Sequence, residues 1–198
     1  MKSNFKDEYE YINYINEMYA SNNYADIVSV SSLIYSYMDK IDSFENDNTI
    51  YKICYSMFIN KKYSELSFLV INLCQIGIEK YNYAFLCLAS LIANNDIFMA
   101  KSYIQKIKLL NIKEVSSIIA KDETVYYNII NNVSAQNIPC FILLYFVMSI
   151  DTSCITNSKD SKNELMIRYF EMLDNIYSLT KQEKIVNYMN DIGNFIFW

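Results

Sequence analysis

Apolar residues recur along most of this chain at spacings of three, four and seven, the period of an amphipathic helix, and no stretch alternates in steps of two for long enough to require a strand. Ile97, Ala100, Ile104 and Ile107 form one such series. The pattern predicts helices near residues 5–20, 23–41, 47–60, 62–79, 81–94, 96–110, 113–120, 122–134, 138–150, 162–179 and 181–192. The expected fold class is therefore all-α, in a single domain over residues 1–198, a length within the usual range of roughly 100–200 residues per domain. Local chemistry suggests where some helices begin and end. Ser161-Lys162-Asn163-Glu164 and Thr180-Lys181-Gln182-Glu183 match the capping box, in which a hydroxyl caps the N3 amide and Glu reaches back, so two late helices are expected to start there. Pro139 stands at the start of an apolar run, where its missing N–H costs least, and Gly193 follows the last periodic segment as a helix-ending residue does. That apolar run, Ile138 to Ile150, falls short of the roughly 20 residues that cross a bilayer. It reads as a buried central helix.

Three of the predicted helices share an entry. Tyr24-Ala25-Asp26-Ile27, Tyr63-Ser64-Glu65-Leu66 and Ile97-Phe98-Met99-Ala100 each follow a short polar turn, Ser21-Asn22-Asn23, Asn60-Lys61-Lys62 and Asn94-Asn95-Asp96. Turns this tight force consecutive helices antiparallel, and each pair needs a neighbour to cover its remaining apolar face. Stacked hairpins follow, as an α-solenoid or a compact helical array. From Phe85 to Leu110 the sequence resembles the tetratricopeptide repeat: Asn95-Asp96-Ile97 stands at the turn between helices A and B, Ala100 at the small residue early in helix B, and Ile104 and Ile107 at the packing positions that follow. Leu88 departs from the family's small helix-A residue, Ile112 from its closing proline, and Ile27 and Leu66 from its expected Ala. The resemblance implies a peptide-sensing or scaffolding protein, with a concave face formed by the helices near 23–41, 62–79 and 96–110.

Composition narrows the chemistry. The chain has no His, two Gly and one Pro. Without imidazole there is no Ser-His or Cys-His dyad and no His-bearing metal site, and two glycines cannot build a phosphate-cradling loop. Five cysteines with no C-x-x-C pair suit a reduced, cytoplasmic protein rather than a disulfide framework or a zinc site. The opening residues turn acidic without an apolar stretch, so no signal peptide is read. A net charge of −5 disfavours nucleic acid as a partner, despite the local basic stretch of Lys101, Lys106, Lys108 and Lys113. The expectation is a non-enzymatic protein that needs no cofactor and no metal.

Few residues stand out as candidates. Glu164, Glu171 and Asp174 lie close to one face of a predicted helix and form a candidate acidic recognition stripe, with the polar linker 151–162 beside it. Asp42, Glu45 and Asp47 share a loop but lack the glycine and terminal Glu of a calcium loop. Tyr81, Tyr83, Tyr126 and Tyr127 are candidates for lining a peptide groove. The segment Asn194 to Trp198 ends in the only tryptophan and is expected to be covered, by the chain's own last helices or by a partner. An acidic chain without catalytic chemistry suits an immunity protein that occludes a basic toxin. A tetratricopeptide-like regulator and a viral all-helical host-interaction protein are the alternatives.

Overall fold

The computed structural model describes residues 5–40, 44, 48–107, 124–151 and 159–198. Among them there are ten α-helices and no strands: α1 (Glu8–Ala20), α2 (Tyr24–Val30), α3 (Thr49–Ile59), α4 (Tyr63–Gln75), α5 (Tyr81–Ala93), α6 (Ile97–Lys106), α7 (Thr124–Asn132), α8 (Ile138–Ser149), α9 (Lys159–Thr180) and α10 (Glu183–Phe197). The helix expected at 113–120 lies outside the described residues. The segment expected to continue α2 to residue 41 instead winds as a 3₁₀-helix over Ser31–Lys40, with a kink at Tyr37. Serines explain part of that change. The hydroxyls of Ser29 and Ser31 donate to the carbonyls of Asp26 and Val28, three residues back, and so compete with the regular helical pattern.

The three polar turns seen in the sequence share one geometry. Asn22, Lys61 and Asn95 all take the left-handed conformation. In each turn the following residue donates its N–H five residues back, Asn23 to Met18, Lys62 to Met57 and Asp96 to Leu91, all at 2.8 Å. These bonds satisfy carbonyls that a helix end leaves without partners, and they reverse the chain within three residues. The hairpins α1/α2, α3/α4 and α5/α6 result, and α9/α10 closes through left-handed Lys181.

Packing brings the late helices back onto the early ones. Every residue of α5 from Tyr83 to Ala93 is buried, and α5 packs on α3, α4, α6, α8 and α10. In an open solenoid a repeat touches only its neighbours. The contact between α5 and α10 is long-range, so these hairpins form a compact array. The apolar run at α8 is buried as expected, against α5, α6, α7 and α10, but α5 is the hub. One hydrophobic cluster extends from Tyr11 to Phe197.

Several boundary expectations are corrected. Ser161 lies inside α9, buried, and accepts a hydrogen bond from Nδ2 of Asn95 at 2.7 Å, so it caps no helix. Thr180 is the last residue of α9 and donates to the carbonyl of Ile176, while Gln182 holds the N-cap position of α10 without a side-chain cap. Gly193 lies within α10, which runs on to Phe197. Tertiary packing holds this last turn in helix: Phe197 meets Tyr169 at 5.6 Å between ring centroids, and Phe195 meets Phe58 at 4.9 Å.

Candidate functional site

Four helices converge on a cavity of about 190 Å³. Helix α3 contributes Tyr51, Tyr55 and Phe58, α5 contributes Tyr81, Asn82, Phe85 and Leu86, the turn into α8 and its first residues add Gln136, Pro139 and Cys140, and α10 adds Tyr188 and Ile192. Each helix presents this face for a local reason. Tyr51 and Tyr55 are one turn apart on α3 and their rings lie 5.9 Å apart. Pro139 fits the first turn of α8, where no N–H is required. Tyr188 stacks on Phe85 at 6.2 Å, which docks α10 as the fourth wall.

The cavity continues into a depression of about 380 Å³ that shares Tyr81, Asn82 and Gln136 and adds Glu79, Lys80 and Asn137. Charged side chains thus stand only at this outer rim. The inner lining is phenol, phenyl, aliphatic, thiol and carboxamide. Burial pushes the Tyr51 phenol up to about 12, helped by the neighbouring phenols of Tyr19, Tyr188 and Tyr55. Burial also raises Tyr188, with Tyr55 adding to the effect. The phenols of Tyr51 and Tyr188 are therefore neutral at physiological pH and can donate or accept hydrogen bonds. The Cys140 thiol is pushed up to about 12 by burial, so it carries almost no thiolate and acts as a small apolar group.

Apart from Tyr81, the sequence-predicted site residues lie elsewhere. Glu164, Glu171 and Asp174 are exposed on α9, and none lines the cavity. Arg168 interrupts their stripe: its Nε donates to Oε1 of Glu164 at 3.1 Å. Trp198 is 80% exposed, whereas Ile196 and Phe197 before it are buried. The chain's own helices thus cover the apolar middle of the tail but not its tryptophan. Of the four candidate groove tyrosines only Tyr81 reaches the cavity; Tyr83 is buried, Tyr126 packs edge-on against Tyr145, and Tyr127 donates to the carbonyl of Leu179 at 2.6 Å.

The cavity is also distinct from the concave face expected on the helices near 23–41, 62–79 and 96–110. No lining residue comes from α2, α4 or α6; the cavity belongs to α3 and α5, the first helices of their hairpins, with α8 and α10. Lys101 and Lys106 lie on α6, and Lys101 donates to the carbonyl of Ile150, tying α6 to the end of α8. Lys108, Lys113, Asp42, Glu45, Asp47 and Cys154 lie outside the described residues, as do residues 152–158 of the 151–162 linker. The linker's last four residues, from Lys159, are already part of α9.

Among the lining residues that the sequence did not single out for a site are Tyr51, Tyr55, Asn82, Phe85, Gln136 and Tyr188. The i, i+4 pair on α3 was a visible signal, but convergence of four helices is a tertiary fact. Among the described residues no group of three Cys, Asp or Glu side chains could hold a metal ion, and no helix is long and apolar enough to cross a membrane. Comparison with protein families, curated proteins and solved structures finds no match to this chain.

Proposed function

We propose that this chain is a non-enzymatic protein-binding module that receives a peptide segment of a partner protein at the aromatic cavity between α3, α5, α8 and α10. The observation that carries this reading is the cavity itself, where four helices bring tyrosine, phenylalanine and carboxamide side chains to an open mouth. Recognition sites of this kind combine an apolar floor with a few polar groups that fix orientation. On this reading the hairpins act as tetratricopeptide-like repeats, supporting a regulator or scaffold in the reduced cytoplasm. The described cysteines Cys54, Cys87 and Cys140 are free thiols, which suits that compartment.

A photo-crosslinking amino acid at Gln136 tests the proposal. It should trap a partner segment in the cell, whereas the same group at Phe68, on α4 and absent from the cavity lining, should trap none. Trapping at Phe68 but not at Gln136 would refute the proposal.

The immunity-protein version, in which the chain occludes a basic toxin, draws on the net charge of −5 and the exposed Glu171 and Asp174. It makes a different demand. The association rate should fall steeply with salt, because exposed charges farther apart than about 10 Å are screened at 0.1 M. Reversing Glu164, Glu171 and Asp174 together should then abolish binding, and crosslinks should come from those positions.

A further inference from the structure

The inner cavity, at about 190 Å³, is smaller than the roughly 300–1,000 Å³ pockets that enclose a drug-sized ligand, and the space reaches that range only together with the open rim depression of about 380 Å³. The inner cavity suits one large side chain. Its lining contains no carboxylate, ammonium or guanidinium group. A charged group entering it would lose hydration without meeting an opposite charge, so the cavity selects an uncharged one. Six aromatic rings, Tyr51, Tyr55, Phe58, Tyr81, Phe85 and Tyr188, supply apolar contact around it.

The mouth carries different chemistry. Asn82, Gln136 and Asn137 stand on the rim depression, each with a carboxamide that both donates and accepts. That pairing matches the alternating N–H and C=O groups of a polypeptide main chain. A free molecule of cavity size would fill the floor and leave this rim without a role, whereas a peptide engages both at once.

We infer that the cavity is an anchor pocket for one large, uncharged apolar side chain of a partner peptide, such as Leu, Met, Phe or Trp, with the flanking peptide backbone held by Asn82, Gln136 and Asn137. This inference rests on the peptide-binding reading above and specifies the chemistry of its ligand. Helix α10 completes the pocket through Tyr188 and Ile192, so the anchor site exists only once the last hairpin has folded back onto α5.

The test pans a random peptide library on the whole chain and titrates the enriched peptides against the parent chain and Gln136→Trp. Gln136 is exposed on the turn before α8, so the indole obstructs the mouth without altering a core side chain. Circular dichroism verifies the fold of the variant. The enriched peptides should share one large uncharged residue. Replacing that residue by Ala should weaken binding at least tenfold, replacing it by Lys or Asp should weaken it further, and Gln136→Trp should weaken binding of the parent peptide at least tenfold.

Enriched peptides that bind Gln136→Trp as tightly as the parent chain would overturn both the anchor pocket and the placement of the peptide at this cavity. A charged consensus anchor would overturn the uncharged anchor alone and leave the peptide-binding reading standing. Binding of free 3-methylindole or p-cresol as tightly as the best peptide would overturn a peptide as the ligand, and failure of any peptide to enrich would overturn both readings. Should Gln136→Trp misfold, Tyr188→Ala serves instead: it opens one wall and should shift the preferred anchor from Leu or Met toward Trp.

Discussion

Gly193 and Tyr169 stand so close that an ideal Cβ on the glycine would lie 2.5 Å from Cε1 of the tyrosine. The ring has nowhere to go. Tyr169 is fully buried, meets Phe146 edge-on at 5.2 Å, and donates from its hydroxyl to the carbonyl of Met189 at 2.8 Å. The glycine thus sets how closely α9 and α10 approach. Gly193→Ala should lower stability by about 1–3 kcal/mol through overpacking, even though alanine favours helix by roughly 1 kcal/mol. Chemical denaturation followed by circular dichroism measures the difference, and a stabilised variant would contradict the close approach.

Asn95 combines a left-handed backbone, φ 59°, with a side-chain hydrogen bond to Ser161 that links the α5–α6 turn to α9. Asn95→Gly should lose the hydrogen bond alone, about 1 kcal/mol. Asn95→Ala should lose more, because a Cβ is disfavoured in the left-handed region by roughly 1–2 kcal/mol. Ser161→Ala should resemble the glycine variant. If glycine and alanine prove equally destabilising in thermal melts, backbone strain is not the added cost.

Alkaline pH should unfold the protein in a defined window. Burial raises the phenol of Tyr51 from 10.0 to about 12 and the thiols of Cys54 and Cys140 from 9.0 to about 12. Tyr11, Tyr103 and Tyr169 are raised further by the same cause. Each group binds its proton more tightly when folded, so between the two values the unfolded chain holds fewer protons and stability falls as pH rises. From these groups stability should be flat below about pH 8, decline from about pH 9 and be largely lost near pH 12. Melting temperature against pH, with tyrosinate absorbance recorded in parallel, checks both the sign and the window.

Trp198 should report water although its neighbours are docked. With 80% of its surface exposed, its fluorescence should be red-shifted and freely quenched by acrylamide in dilute protein. Removing Trp198 alone should leave the melting temperature nearly unchanged. Removing residues 195–198 should lower it by several degrees, since buried Ile196 and Phe197 each contribute roughly 1.5–3 kcal/mol. A blue emission maximum that persists on dilution would show instead that the indole is covered.

Hydrophobic periodicity determined the class of the fold and most of its helices, because a helix needs only its own 3.6-residue pattern. The hairpin turns were equally legible. Asn22, Lys61 and Asn95 each lie at the centre of a three-residue polar break, and the adoption of one geometry by all three follows from local hydrogen bonding. Sequence alone failed where a neighbour overrode local preference. Ser161 has the sequence of a cap and Gly193 that of a stop, but packing against Asn95 and Tyr169 holds both inside helices.

The site was beyond local reading for the same reason. Tyr55, Phe85, Gln136 and Tyr188 come from four separate segments. Periodicity states which face of each helix is apolar, but not which faces will meet. That choice belongs to the tertiary fold, where α5 is apolar all round and accepts neighbours on every side, so that α8 and α10 return to it from far along the chain and close the cavity. The acidic stripe was visible because charge on one helix face is a local property; its interruption by Arg168, one turn after Glu164, was visible there too. Only the folded molecule decided that this stripe and the aromatic cavity are made by different sets of residues.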